Sequence, residues 1–83
     1  MTFSDYRVAV VTGATSGVGH GAVDLFLARG LTVHAIARDA SRLAVLAEKG
    51  VITHALDVRD TDALAAALEG VEADIVLNSA GVG

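Results

Sequence analysis

The fold is decided by 8-VAVVTGATSGVGHGAV-23, where an apolar run of β-branched residues gives way to Gly13, Gly17 and Gly19. Glycine inside a regular element costs about 0.5–1 kcal/mol against alanine through lost backbone entropy. Three of them between two apolar segments mean that the backbone itself has a task at this point. The run before them, 7-RVAVVT-12, has the length and β-branched content of a strand. The segment after them places Val18, Ala22, Val23, Phe26 and Leu27 at helical spacing as far as about Arg29. A strand, a glycine-rich turn and a helix therefore open the chain.

The same alternation continues outward from that start. Strand-like runs recur at 31-LTVHAIA-37, 51-VITHALDV-58 and 73-ADIVLN-78. Between them, 39-DASRLAVLAEK-49 gathers Leu43, Leu46 and Ala47 on one helical face, and 60-DTDALAAALE-69 gathers Leu64, Ala67 and Leu68. Gly30, Gly50 and Gly70 follow the three helical segments, the position favoured by the left-handed residue that closes a helix. Asp39, and Asp60 or Thr61, stand where helix N-caps are expected. Strict alternation of strand and helix requires parallel pairing through right-handed crossovers. The expected architecture is α/β: a Rossmann-type parallel sheet flanked by helices, the first four strands of a doubly wound fold in spatial order 3-2-1-4.

Composition agrees. Of the 83 residues 53% are apolar, yet Phe3, Tyr6 and Phe26 are the only aromatics, which suits parallel strands packed on helices. The chain has no cysteine, so disulfides and thiolate metal sites are excluded. No apolar run approaches the ~20 residues of a membrane-spanning helix, and no secretory signal pattern opens the sequence. The net charge of −4 with six scattered basic residues argues against a nucleic-acid surface. A cytoplasmic domain is the expectation.

The glycine segment now has a physical role. A helix start offers N–H groups and partial positive charge to a phosphate. Gly13 permits the turn out of the strand, Gly17 lets the backbone approach a pyrophosphate, and Gly19 lets the helix lie close to the sheet. Thr12, Thr15 and Ser16 add hydroxyls. In an open parallel sheet, ligands bind beyond the carboxyl ends of the strands at the point where strand order reverses. Gly13, Arg38, Asp57 and Asn78 all fall at such ends.

These segments carry a family resemblance. 12-TGATSGVG-19 resembles the Thr-Gly-x-x-x-Gly-x-Gly motif of short-chain dehydrogenases/reductases, and the resemblance to their N-terminal portion covers the whole chain. 78-NSAG-81 resembles their Asn-Asn-Ala-Gly motif with Ser79 in place of the second Asn, and 56-LDV-58 resembles their Asp-Val pair. The resemblance implies a dinucleotide cofactor held by Gly13, Thr15, Ser16, Gly17, Val18 and Gly19. It further implies Asp57 and Val58 at the adenine edge, with Asn78, Ala80 and Gly81 bordering a ribose.

The choice of cofactor falls at the end of the second strand. A carboxylate there would accept the ribose 2′-OH of NAD, whereas an arginine accommodates the 2′-phosphate of NADP. Ala37 stands where the carboxylate would be, and Arg38 follows. A guanidinium binds phosphate through a fork of donors. NADP(H) is therefore expected over NAD(H). Arg42, one turn on, reads as a solvated helix residue rather than a second phosphate partner. Ser16 is a departure, since a basic residue stands there in many NADP-preferring relatives.

His20, His34 and His54 are dispersed, no metal site is expected, and Ser41 and Ser79 have no visible base partner. The family's hydride-transfer residues, a serine, a Tyr-x-x-x-Lys pair and an asparagine, belong to sequence beyond 78-NSAG-81. Tyr6 and Lys49 cannot replace them, so no catalytic residue is assigned. Residues 1–83 are read as the N-terminal half of a dinucleotide-binding domain, the catalytic part lying outside it. A nucleotide-binding module without catalysis, or a scaffold half completed by another chain, is the competing reading. A thin alanine-rich third helix and an open fourth strand further predict a homo-oligomer, or coverage by a further segment.

Overall fold

A computed structural model describes residues 6–15 and 17–79. Its elements alternate as β1 (Val8–Thr12), α1 (Gly17–Ala28), β2 (Thr32–Ala37), α2 (Ala40–Ala47), β3 (Ile52–Ala55), α3 (Thr61–Ala67) and β4 (Ile75–Asn78). The four strands form one sheet in the order β3-β2-β1-β4, every pair parallel. The order expected from the alternation is the order found.

Local chemistry sets the boundaries. Asp39 caps α2: its carboxylate accepts from the backbone N–H groups of Ser41 and Arg42 at 3.0 and 3.2 Å. Asp60, rather than Thr61, caps α3 by accepting from Ala63 at 3.1 Å. Gly30, Gly50 and Gly70 close the helices at positive φ, as their placement predicts. β4 begins later than the apolar run because the Asp74 carboxylate takes the N–H groups of Arg7 and Val8, at 2.8 and 3.0 Å. β3 is shorter than 51–58. It ends at Ala55, after which Leu56 donates one further bond to the Ala37 carbonyl at 3.0 Å. Beyond Ala37 the neighbouring chain turns into α2, so Asp57 and Val58 have no strand to pair with and enter a turn.

Strand alternation divides the side chains between two faces. Ala9 and Val11 of β1 and Val33, Ala35 and Ala37 of β2 pack with Val23 and Phe26 of α1 and Leu43 and Leu46 of α2 in one buried cluster. Val10 and Ile36 are buried outside that cluster, on the opposite face. The right-handed rule places α3 on that side, but none of its residues is buried. Leu64, Ala67 and Leu68, read as its core stripe, are half-buried. In α1, Val23 and Phe26 are buried as read, whereas Val18 is 60% exposed because it lies in the first turn, at the sheet's open end. Ala47 of α2 is also exposed.

Candidate functional site

The chain leaves β1 through Gly13 at φ +66°, a left-handed conformation that costs a side chain about 1–2 kcal/mol. The N–H groups of Gly13 and Ala14 both reach the Ile36 carbonyl, at 2.9 and 3.3 Å. The glycine turn is thus tied to the carboxyl end of β2, and α1 begins beyond it at Gly17. A helix start leaves N–H groups without intrahelical acceptors, the usual attraction for an anion.

Gly17 and Gly19 have different surroundings. A Cβ on Gly17 would meet nothing within 4 Å, so its bare backbone faces open space. A Cβ on Gly19 would run into the Gly13 carbonyl oxygen and lie 2.7 Å from Ser79 Oγ and 3.0 Å from Ala14 Cα. Gly19 is the close-packing glycine that the spacing predicts, and Gly17 leaves room at the helix start for a ligand.

Ser79, the departure from the Asn-Asn-Ala-Gly pattern, has a structural task. It is buried, and its hydroxyl lies 2.6 Å from the Thr12 carbonyl and 3.2 Å from that of Gly13, sharing one proton between them. Its backbone N–H also donates to the Thr12 carbonyl, at 3.1 Å. One position nearer the strand, Thr12 Oγ1 donates to Asn78 Oδ1 at 2.8 Å. The ends of β1 and β4 and the glycine turn are therefore locked together by short polar side chains.

The expected residues gather along the carboxyl edge of the sheet. Gly13, Thr15, Gly17, Val18 and Gly19 lie above β1, Arg38 directly follows β2, Asp57 and Val58 follow β3 by two and three residues, and Asn78 ends β4. Ser16, Ala80 and Gly81 lie outside the described residues. Ala37 packs its methyl in the cluster shared with α1, and Arg38 is exposed. Asp57 is half-buried, and Arg59 bonds to both its oxygens, with Nη2 2.7 Å from Oδ2 and Nε 3.1 Å from Oδ1. These bonds hold the Asp57 carboxyl at a pKa of about 2.

Three features were not legible from spacing. Arg42, read as a solvated helix residue, lines a shallow depression with Thr15, His20 and Val45, between the glycine turn and α2. Arg59 gives no signal in the sequence, because only its place in the turn after β3 brings it onto Asp57. His34 and His54, dispersed in sequence, face each other with Nδ1 and Nε2 3.1 Å apart and rings nearly parallel. The signal for that pair was available: the β2–β3 register aligns Ile36 with His54, which puts His34 two residues away on the same face. Among the described residues no group of three or more metal-ligating side chains occurs.

The family model described as NAD(P)H-binding matches residues 13–83, from the glycine turn onward. The chain belongs to this NAD(P)H-binding family, among the short-chain dehydrogenases/reductases. An uncharacterised short-chain type dehydrogenase/reductase of Sinorhizobium fredii is 33% identical over 78 residues, 93% of this chain and 32% of the relative. A short-chain dehydrogenase from Bacillus anthracis superposes with a TM-score of 0.79 at 26% identity, covering 87% of this chain and 33% of that one. L-sorbose reductase from Gluconobacter frateurii, solved with NADPH and L-sorbose, superposes at 0.75 with 31% identity, covering 94% and 34%. The chain thus spans about a third of the length of these dehydrogenases/reductases. What it shares with them is the Rossmann sheet and its flanking helices.

Proposed function

We propose that this chain is the NADP(H)-binding half of a dinucleotide-binding domain, residues 1–83, in an oxidoreductase that exchanges hydride with a carbonyl or alcohol substrate. One observation carries the choice of cofactor. Ala37, its methyl packed in the core, stands where a carboxylate would select NAD, and the exposed Arg38 beside it forms no salt bridge among the described residues. L-sorbose reductase, similar over 94% of this chain, holds NADPH.

In this reading the turn at Gly13 and the open backbone at Gly17 receive the pyrophosphate, with Thr15, Ser16, Val18 and Gly19 around it. Arg38 forks onto the 2′-phosphate, with Arg42 near enough to the glycine turn to assist. Asp57 and Val58 border the adenine, while Asn78, Ala80 and Gly81 border the ribose nearer the reacting ring. The bound cofactor supplies the hydride. This chain's own residues bind and orient it, and no proton-transfer role is assigned to any of them.

The proposal extends to location and assembly. The cysteine-free, acidic composition supports a cytoplasmic protein. The exposed β4 edge and the thin α3 layer support a second copy, or further chain, covering that side.

Dissociation constants of NADPH and NADH for wild type and Arg38→Ala test the cofactor reading. Charge-assisted hydrogen bonds of about 1.5–3 kcal/mol imply that Arg38→Ala weakens NADPH about tenfold or more and leaves NADH nearly unchanged. An equal NADPH/NADH ratio in both proteins would remove Arg38 from the site.

A further inference from the structure

The corner beside the ends of β2 and β3 holds two arginines and one carboxylate. The bond from Leu56 N–H to the Ala37 carbonyl, 3.0 Å, brings the two chain segments side by side. Arg59 grips both oxygens of Asp57. Its backbone N–H donates to Oδ1 at 2.9 Å, Nε lies 3.1 and 3.2 Å from the two oxygens, and Nη2 reaches Oδ2 at 2.7 Å. The Asp57 side chain is 32% exposed beneath an Arg59 that is 78% exposed. Arg38 directly follows Ala37 at the end of β2, so it stands on the segment beside Leu56 and Asp57, and it forms no salt bridge with Asp57 among the described residues. Nearby, Arg42 and Asp39 form an exposed ion pair at 3.5 Å.

A carboxylate on the segment bonded alongside the end of β2 would ordinarily weaken the attraction of Arg38 for an anion and repel a phosphate. With Arg59 on Asp57, the three groups carry a net charge of +1. Without Arg59 they sum to zero. We propose that Arg59 is a positioning residue for cofactor choice: by holding the Asp57 carboxylate it leaves Arg38 free for a 2′-phosphate. The inference rests on the reading of this edge as a dinucleotide site. It adds a determinant that never touches the phosphate and acts through Asp57. The fork also turns the carboxylate into a fixed, neutralised group at the adenine edge.

Adenosine 2′,5′-bisphosphate and 5′-AMP isolate the effect, because they differ only in the 2′-phosphate. Their dissociation constants are measured by calorimetry at low salt on the full chain as wild type, Arg59→Ala and Arg59→Ala/Asp57→Asn. Exposed charges at these distances are worth a few-fold each in water. Arg59→Ala is therefore expected to lower the bisphosphate/AMP preference by about three- to tenfold, mainly through weaker bisphosphate binding. Adding Asp57→Asn, which removes the uncovered carboxylate, restores the preference. A merely structural role for Arg59 would weaken both ligands alike and would not be rescued. A wild-type preference for the bisphosphate that survives in Arg59→Ala, or a double variant as poor as the single one, overturns the role of Arg59 alone. A wild type that binds neither ligand, or prefers 5′-AMP, overturns the cofactor reading, and this inference with it.

Discussion

The two faces of the sheet are built from similar strand residues and end up in different states. On one face Val11, Val33 and Ala35 meet Val23, Phe26, Leu43 and Leu46, and all are buried. On the other, Val10 and Ile36 are buried, but Val76 is 67% and Ile52 45% exposed, with His34 and His54 half-buried between. The difference lies in the helices. α1 and α2 bring Phe and Leu to their face, whereas α3 is a seven-residue helix, TDALAAA, with one leucine. β-branched strand residues make a sheet, but the length and side-chain size of the covering helix decide whether a face is closed.

The largest effect should come from breaking the closed face. Leu46, fully buried beneath α2, joins that helix to the sheet. Leu46→Ala is expected to cost about 2–5 kcal/mol in urea unfolding, enough to unfold much of a domain this small. A loss below 1 kcal/mol would mean that the α2 face is not the main core.

The open face gives the next effect, in association rather than unfolding. Parallel strands normally need both faces covered, and an edge strand such as β4 offers unpaired backbone groups. Sedimentation at low micromolar concentration is expected to show the 83-residue chain associated or partly unfolded, not a compact monomer. Val76→Asp puts a charge on the exposed side of β4 and should shift any associated species toward monomer. Unchanged sedimentation would place the contact elsewhere.

The smallest effect concerns the histidine pair on the same open face. Burial, and next the charge of His54, hold the His34 pKa below its ordinary 6.5. The unfolded chain therefore takes up a proton before the folded one does. Stability is complete above about pH 6.5, falls as pH drops toward the lowered folded pKa, and levels off below it. Melting temperature between pH 7.5 and 5 should decline, and His34→Gln should flatten that decline. An equal slope in both proteins would mean that the pair does not report on this face.

Most of the fold was legible because its signals are local and agree with one another. The alternation of apolar runs, Asp39 and Asp60 as caps and the three helix-closing glycines each point to the same strand–helix units. The crossover rule converts those units into the order 3-2-1-4. At the site, the glycine turn and the tight packing at Gly19 were legible for the same reason. What escaped the sequence depends on contacts between segments far apart in the chain. Val18 fits a helical stripe by spacing, yet it lies past the end of the sheet it would pack on. Arg42 comes near Thr15 only because α2 lies beside the glycine turn. The Ser79 hydroxyl bonds carbonyls 67 and 66 residues away. Arg59 is a local exception, two residues from Asp57, and its role depends on the strand ending early at Ala55.

The central claim is that a dinucleotide binds along the carboxyl edge of the sheet, above both faces rather than on the open one. Titration of the 15N-labelled chain with NADP+, followed by amide chemical shifts, tests it most directly. The account predicts that the largest shifts fall at Gly13, Gly17, Gly19, Arg38, Asp57 and Asn78, with Ile52, His54 and Val76 nearly still. Shifts concentrated at Ile52, His54 and Val76, with the glycine turn unmoved, would contradict it.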